Sequence, residues 1–206
     1  MSNRDFNNTV FTDPNMVLPL ASSLEKVYPQ INNAVVTTQG ESHIFSYGDS
    51  KLKKTGLTVG GNFFDMFSWK FIKGNAATAI SDPSSIVLTQ SAAKAFFGNA
   101  DPLNKILKVD NDNNMRVSAI VADPPGNSSL QFDFIKAFNY SDPDVKNAMN
   151  EWVNSSWRVY LQTVPGASIS ALERNINTLK KQHDLHDKVS TYFTFPMSKW
   201  RLYSDF

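Results

Sequence analysis

Cysteine is absent from this chain of 206 residues. The chain therefore has no disulfide bond, no thiolate metal ligand and no cysteine nucleophile. Long apolar runs are absent too: no stretch of about 18 or more apolar residues occurs, so no transmembrane helix is predicted within these residues. Residues Met1–Asp5 lack the apolar stretch of a signal peptide. None of these absences assigns a cellular compartment by itself.

The chain also has little excess charge, with 20 Lys and Arg against 19 Asp and Glu, and no block of basic residues. This balance argues against a nucleic-acid partner. The phosphate-binding pattern G-x-x-x-x-G-K-[ST] is missing, and Gly56 and Gly60-Gly61 lack the lysine and helix that such a loop needs. We therefore predict no nucleotide site and no cofactor.

Apolar and aromatic residues are plentiful by contrast. Hydrophobic residues make up 41% of the chain, and 15 Phe, 6 Tyr and 4 Trp are available for packing. A chain of this length and composition is typical of globular protein and is long enough for one large domain or two small ones.

Hydrophobic spacing predicts helices and strands in mixed order. Such an order favours an α+β fold in which helices pack against largely antiparallel sheet. The predicted elements are a helix ending at Tyr28 before Pro29, strands at 34–38, 44–47 and 57–59 with a hairpin turn at Gly48-Asp49, a short helix at 62–67, a strand at 86–88, a helix from Thr89 to Gly98, hairpin strands at 106–109 and 116–121, strands at 130–138 and 157–164, a helix at 168–182 and a strand at 191–195.

Three segments allow sharper local predictions. The polar, Asn-rich segment up to Phe11 is expected to fray, and residues 139–150 are expected to form a loop. Ser168 or Ser170 is predicted to cap the last long helix, with Ser170-x-x-Glu173 as a capping box.

The two ends of the chain resemble each other in their order of elements. The first helix is followed by strand 34–38, and helix 168–182 is followed by strand 191–195. Two helix–strand units that flank a β-rich middle predict a discontinuous domain with an insertion.

The histidines are the first candidates for chemistry. The stretch His183-Asp184-Leu185-His186-Asp187 could place two imidazoles one turn apart on a helix, but a zinc site needs a third ligand and an ordered scaffold. We interpret this stretch as solvated side chains at a helix C-terminus. His43 is interpreted as an isolated structural histidine at a strand edge.

Serines and carboxylates give no stronger signal. A Ser-His-Asp triad is compatible with the composition, but no G-x-S-x-G elbow is present, and Ser128 and Ser129 lie in a predicted loop. Asp142 and Asp144 are interpreted as solvated turn residues. We therefore predict no catalytic, cofactor-binding or metal-binding residue, and the sequence does not define a substrate-binding residue.

An aromatic cluster allows two interpretations, a binding surface or part of the core. Core packing is favoured because the cluster flanks a glycine turn and alternates with polar residues. Its members are Phe63, Phe64, Phe67, Trp69 and Phe71.

An ordered series of segments carries a family resemblance. Taken together, they resemble the periplasmic core domain of MacB/FtsX-like ABC transporter permeases. The resemblance lies in order and spacing over most of the chain, not in any single motif. The segments are Val59–Phe67 (VGGNFFDMF), Phe71–Asn75 (FIKGN), Ala79-Ile80, Ser84–Gly98 (SSIVLTQSAAKAFFG), Asp101–Lys105 (DPLNK), Val117–Val121 (VSAIV), Asp123–Ser128 (DPPGNS), 152–181 and Leu202–Ser204.

Three positions depart from the family pattern. Asn104 stands where the family commonly has glycine, and asparagine still tolerates a left-handed turn. Ala119 replaces a strand glycine, and Ser129 stands where the family often has histidine. Any role of that histidine is lost here.

The resemblance implies a fold of two parts. A porter-like α/β subdomain is built from both chain ends, at 1–45 and 130–206, and a β-rich subdomain at 46–129 is inserted into it. It also implies that the chain lies between the first and second transmembrane helices of a bacterial inner-membrane permease, facing the periplasm. We accordingly expect a transmembrane helix shortly before Met1 and another shortly after Phe206.

The implied function is non-catalytic. Such a domain couples ATP-driven motion of the membrane part to efflux, export or extrusion of a substrate through protein–protein contacts. Two alternatives remain open: an FtsX-type regulator of a cell-wall hydrolase and, from another class, a periplasmic hydrolase or small-molecule-binding protein. The implied partners are an ABC ATPase subunit or domain of the same transporter, a second copy in the intact permease, and a periplasmic adaptor or lipoprotein.

Overall fold

A computed structural model describes residues 1–6, 9–184 and 189–203 of the chain, with side chains given for all of these except Phe6 and residues 201–203. Contacts between Cα atoms divide the chain into two compact units. One unit contains Met1–Val36 and Tyr140–Phe206, and the other contains Thr37–Asn139. They are called the terminal unit and the middle unit below.

Helices and strands alternate along the chain, which confirms the predicted α+β class. In chain order they are β1 (Ser2–Phe6), β2 (Thr9–Asp13), β3 (Met16–Val17), α1 (Leu20–Val27), β4 (Ile31–Thr37), β5 (Glu41–Tyr47), β6 (Ser50–Gly60), α2 (Phe63–Met66), β7 (Phe71–Lys73), α3 (Ala76–Ala79), β8 (Ser85–Thr89), α4 (Gln90–Phe97), β9 (Ile106–Val109), β10 (Asn113–Val121), β11 (Phe134–Ala137), α5 (Pro143–Asn150), β12 (Ser155–Thr163), α6 (Ile169–His183), β13 (Ser190–Tyr192) and α7 (Met197–Tyr203).

Six strands of the middle unit pair in a closed ring, in the order β6, β5, β9, β10, β8, β11 and back to β6. The pairs β8–β10 and β6–β11 are parallel and the other four are antiparallel. A closed ring leaves no unpaired strand edge within it. Strand β7 pairs antiparallel with the last residues of β10, Ile120 and Val121.

The core of the middle unit is aromatic and aliphatic. Phe45 of β5 packs against Phe134 of β11, with ring centroids 5.0 Å apart, and against Phe96 of α4 at 6.2 Å. Gly56 faces Phe134 across the β6–β11 pair, and a Cβ atom added at Gly56 would lie 2.2 Å from the Phe134 carbonyl oxygen. Only glycine permits this approach of the two backbones.

The terminal unit contains a three-stranded antiparallel sheet in the order β13, β1, β2, so its central strand comes from the start of the chain. Helix α6 turns Leu172, Ile176 and Leu179 inward. The Tyr28 hydroxyl, at the end of α1, donates a hydrogen bond to the Asn175 carbonyl of α6 at 3.1 Å. Strand β12 pairs antiparallel with β3 and also neighbours β4.

Several local predictions are confirmed by the structure. Gly48 has a φ of 56° in the two-residue turn that joins β5 to β6. The Thr89 side chain accepts a hydrogen bond from the Ala92 amide at the start of α4, and Gly98 ends that helix with a φ of 58°. Asn104 has a φ of 62°, which fits the left-handed turn expected there.

Other predictions are wrong, and in each case a partner distant in sequence or an overlooked cap explains the error. The described residues of the segment up to Phe11 belong to β1 and β2 instead of fraying, because β1 is held between β2 and β13. Residues 143–150 form α5 instead of a loop, because Asp142 caps them and Pro143 suits the first helical turn. Strand β11 covers only part of the predicted 130–138, and β13 only part of 191–195.

The capping box predicted at Ser170 and Glu173 does not form. The Ser168 side chain accepts the hydrogen bond of the Ala171 amide and so caps α6. Glu173 instead accepts hydrogen bonds from the amide and the hydroxyl of Thr194, both at 2.8 Å. The carboxylate is therefore used for a tertiary contact.

The predicted subdomain borders, 1–45 with 130–206 and 46–129, remain predictions. By their contacts, both β5 and β11 belong with the middle unit, since both pair with β6.

Candidate functional site

A cluster of charged side chains in the middle unit surrounds His43. The His43 Nδ1 atom lies 2.5 Å from the Asp110 carboxylate, and its Nε2 atom lies 3.2 Å from Glu41 and 3.3 Å from the Lys136 ammonium. Lys136 and Glu41 are 3.7 Å apart. The Thr58 hydroxyl donates to the other oxygen of Glu41. Side chains from three strands and one turn thus meet at one imidazole.

Local backbone geometry fixes the acidic side of this cluster. Asp110 begins the tight turn after β9 with a φ of 50°. Its carboxylate accepts a hydrogen bond from the Ile44 amide at 2.8 Å, and its own amide donates to the Ile44 carbonyl at 2.9 Å. The His43 ring also lies 5.8 Å from the Phe134 ring at the margin of the aromatic core. The prediction that His43 is isolated is therefore wrong, because Asp110 and Lys136 are remote in sequence and are brought to it only by folding.

Two carboxylates of the cluster have lowered pKa values. Burial raises the pKa of Glu41, but the Thr58 hydrogen bond and the charges of Lys136 and His43 outweigh it, so the pKa lies below its ordinary value. The pKa of Asp110 is lowered by the hydrogen bond from the Ile44 amide and then by that from His43. Both groups are therefore ionised at neutral pH.

The cluster does not have the geometry of a nucleophilic site. An Asp–His pair acts as a base when the second imidazole nitrogen faces a hydroxyl or thiol. Here that nitrogen faces Lys136 and Glu41. The arrangement can bind strands together by charge-assisted hydrogen bonds, and within the described residues no nucleophile hydrogen-bonds to His43.

The aromatic cluster predicted at 63–71 belongs largely to the core. Phe63 is fully buried and Phe64 is 8% exposed. Their rings pack edge to face at 5.3 Å, and Phe63 also lies 5.0 Å from Phe67. Trp69 is half-buried and packs against Phe132 at 4.9 Å. Core packing is thus the use that the structure supports.

A groove of about 990 Å³ runs along α6 and β13 in the terminal unit. Its lining carries charges of both signs, including Arg174, Lys181 and Asp184. The Asn177 side chain on its floor donates to the Tyr192 carbonyl at 2.6 Å and accepts from the Tyr192 amide at 2.8 Å. The polar groups at the base of the groove are therefore used to attach α6 to β13.

The remaining candidates lie apart from one another. His183 stacks on Trp152 with ring centroids 4.0 Å apart, whereas Leu185, His186 and Asp187 lie outside the described residues. Over residues 1–6, 9–184 and 189–203, no three His, Asp or Glu side chains are grouped so that they could hold a metal ion.

The predicted loop serines and turn carboxylates have structural partners or are exposed. The Ser128 hydroxyl accepts a hydrogen bond from the Leu130 amide, and Ser129 is exposed. Asp142 accepts a hydrogen bond from the Asp144 amide at the start of α5. Asp142 is therefore a helix cap, which corrects its interpretation as a solvated turn residue.

No helix in the described part of the chain is long and apolar enough to cross a membrane. A family model described as the MacB-like periplasmic core domain matches residues 2–179. No curated protein matches the chain significantly.

Three solved structures share the fold. A domain of a protein described as a permease, from Porphyromonas gingivalis, aligns with a TM-score of 0.80 and 20% identity over 95% of this chain and 86% of that one. The extracellular domain of the noncanonic ABC-type transporter YknZ from Gram-positive bacteria aligns with a TM-score of 0.64 and 14% identity over 89% of this chain and 91% of that one. The periplasmic region of MacB from Actinobacillus actinomycetemcomitans aligns with a TM-score of 0.57 and 21% identity over 92% of this chain and 85% of that one.

Proposed function

Since this chain belongs to the MacB-like periplasmic core domain family, we propose that it couples ATP-driven motion of an ABC transporter permease to the export or extrusion of a substrate. The coupling is mechanical and acts through protein–protein contacts. The observation that carries the proposal is the family match over residues 2–179, which spans elements of both units.

The proposed setting is a bacterial inner membrane, with this domain on the periplasmic side. Members of this family are extracytoplasmic parts of membrane proteins, and the solved relatives are a periplasmic region and an extracellular domain of two transporters. The proposed partners are the ATPase subunit or domain of the same transporter, a second permease copy, and a periplasmic adaptor or lipoprotein.

The domain is proposed to be non-catalytic. The arrangement around His43 supports this, because the nitrogen that would accept a proton from a nucleophile lies beside Lys136 and Glu41. Metal-assisted hydrolysis finds no support either, since in the described part of the chain no three His, Asp or Glu side chains are arranged so that they could hold a metal ion.

Reconstitution of the full-length permease with its ATPase tests the coupling. One arm carries the intact domain, and the other has residues 2–179 replaced by a short flexible linker. We expect the second arm to lose ATP-dependent export, measured in cells as resistance to a panel of toxic compounds and as release of lipoproteins. ATP hydrolysis in proteoliposomes should continue.

Unchanged export without the domain would contradict the proposal. An amidase or esterase activity of the purified domain, lost in a His43→Gln variant, would favour the hydrolase alternative. A cell-division or wall-hydrolysis defect with normal export would favour the regulator alternative.

A further inference from the structure

One exposed face of the closed strand ring carries three lysines and two isoleucines. It lies on the outer side of β6, β5 and β9, and it is called the lysine face below. Its lysines are Lys51, Lys53 and Lys108, and its apolar residues are Ile44 and Ile106, which are 52% and 48% exposed.

Strand register places these residues side by side. Ser46 of β5 pairs with Lys51 of β6 on one side and with Lys108 of β9 on the other. Ile44 pairs with Lys53. Residues directly opposite on neighbouring strands point to the same side of a sheet, so the three lysines share one face. Strand spacing puts Lys51 and Lys108 about 10 Å apart.

Seven other Lys and Arg residues belong to the middle unit. Four of them have a carboxylate within 4.0 Å: Lys54 with Asp133, Lys73 with Asp101, Arg116 with Asp82 and Lys136 with Glu41. In the described part of the chain Lys70, Lys94 and Lys105 have none, but Lys94 lies on α4 and the other two lie outside the strands, so the lysine face differs in placing three such lysines side by side on paired strands. Within the described residues, no carboxylate lies within 4.0 Å of the ammonium of Lys51, Lys53 or Lys108. Their separations are comparable to the Debye length of about 8 Å at physiological salt, so their potentials add at the surface.

We propose that the lysine face is the docking surface for an acidic protein segment, an extended one that presents carboxylates at alternating positions. Like charges that share one face repel, and an incoming row of carboxylates relieves that repulsion. Ile44 and Ile106 supply apolar area between the charges. The inference rests on the proposed function, because it names the kind of partner that the protein–protein contacts involve.

Charge and shape favour a protein over a lipid surface as the occupant. Surfaces that bind at a membrane interface combine basic residues with Trp, Phe or Leu that enter the headgroup region. The residues of this face are Ser, Thr, Lys and Ile, without an aromatic ring: Ser42, Ile44, Ser46, Lys51, Lys53, Thr55, Ile106 and Lys108.

Peptide binding by the purified 206-residue chain tests the proposal. The probe is a fluorescent 12-residue peptide of alternating Glu and Thr, followed by anisotropy at low and physiological salt, with an alternating Lys and Thr peptide as its counterpart. We expect the acidic peptide alone to bind, and more weakly as salt rises. The triple variant Lys51→Gln, Lys53→Gln and Lys108→Gln should weaken binding about tenfold.

A matched variant separates a docking surface from net charge. Lys70, Lys94 and Lys105 are exposed lysines of the same unit that lie off the lysine face, and changing all three to Gln removes the same charge. This variant should bind within about twofold of the original chain. Circular dichroism and thermal unfolding of both variants confirm that the comparison is between folded proteins.

Three outcomes would overturn the proposal: no binding of the acidic peptide at low salt, equal weakening in the two triple variants, or binding to phosphatidylglycerol vesicles in preference to the peptide. None of them bears on whether the full-length permease needs this domain for export. Failure here is thus distinguishable from failure of the proposed function.

Discussion

The side-chain amide of Asn177 forms two hydrogen bonds with the backbone of Tyr192, one to the carbonyl at 2.6 Å and one from the amide at 2.8 Å. The carboxamide thereby takes the place of a neighbouring strand beside β13. One turn earlier on α6, Glu173 accepts the Thr194 amide at the same edge. The helix thus satisfies backbone groups that the three-stranded sheet leaves open.

Removal of this contact should destabilise the terminal unit. In Asn177→Leu the Tyr192 amide and carbonyl lose their partners, and we expect a cost of about 1–3 kcal/mol. Asn150→Ala is the control, because Asn150 is exposed and its side chain donates a hydrogen bond within α5, to the Lys146 carbonyl. Urea unfolding followed by tryptophan fluorescence measures both, and equal stabilities would contradict the strand-like role of Asn177.

A single methyl group at Gly56 should be poorly tolerated. The added Cβ would lie 2.2 Å from the Phe134 carbonyl oxygen, so Gly56→Ala must push β6 and β11 apart, and we expect a loss of more than about 2 kcal/mol. At Gly126 an added Cβ meets nothing within 4 Å. Gly126→Ala should therefore be nearly neutral in the same unfolding experiment. Equal losses of stability in Gly56→Ala and Gly126→Ala would mean that β6 and β11 can move apart at little cost.

Two serines two positions apart should differ in their effect on α6. Ser168→Ala removes the side chain that accepts the Ala171 amide and should cost about 1 kcal/mol. Ser170 lies inside the helix, where alanine is the better helix former, so Ser170→Ala should be neutral or slightly stabilising. Thermal unfolding by circular dichroism compares the two. A larger loss of stability in Ser170→Ala than in Ser168→Ala would support the capping box that the sequence predicts.

The stability of the middle unit should fall in acid through Glu41. Its pKa is lowered from the ordinary value of 4.5, so the unfolded chain binds protons more readily than the folded one as the pH falls. The stabilisation is present above the ordinary value of 4.5 and is lost as the pH drops below it through the folded pKa. Asp110 contributes in the same direction from its lowered pKa.

The variant Glu41→Gln tests this pH dependence. It should have a lower melting temperature at pH 7 and a smaller further drop as the pH falls below 4.5 than the original chain. Asp49→Asn, at an exposed position of the β5–β6 turn, serves as control and should keep the full drop. If the melting temperature of Glu41→Gln depended on pH as that of the original chain does, Glu41 would not be the cause of the loss of stability in acid.

Features set by neighbouring residues were predictable from the sequence. Gly48 determines its turn and Thr89 its helix cap, because a positive φ and a free amide at a helix start are local requirements. The buried phenylalanines Phe63 and Phe64 were also predictable, since their position beside a glycine turn favours core packing.

Features set by remote partners were not predictable. The sequence of β1 is polar, and it becomes a strand because β2 and β13 pair with it on both sides. The His43 cluster depends on Asp110 and Lys136, which are 67 and 93 residues away. The alternation of Lys51 and Lys53 was visible in the sequence, but Lys108 joins them only through the β5–β9 register.

The pairing of Ser2 with Tyr192 in the terminal sheet has a consequence for biosynthesis. A ribosome adds about 5–20 residues per second, and the first strand emerges long before the strand that completes its sheet. The middle unit is contiguous in sequence, from Thr37 to Asn139, so it has all its strands available earlier. We expect the middle unit to fold first and the terminal sheet later, so that β1 is synthesised before the other strands but is fully paired only after β13 has been made.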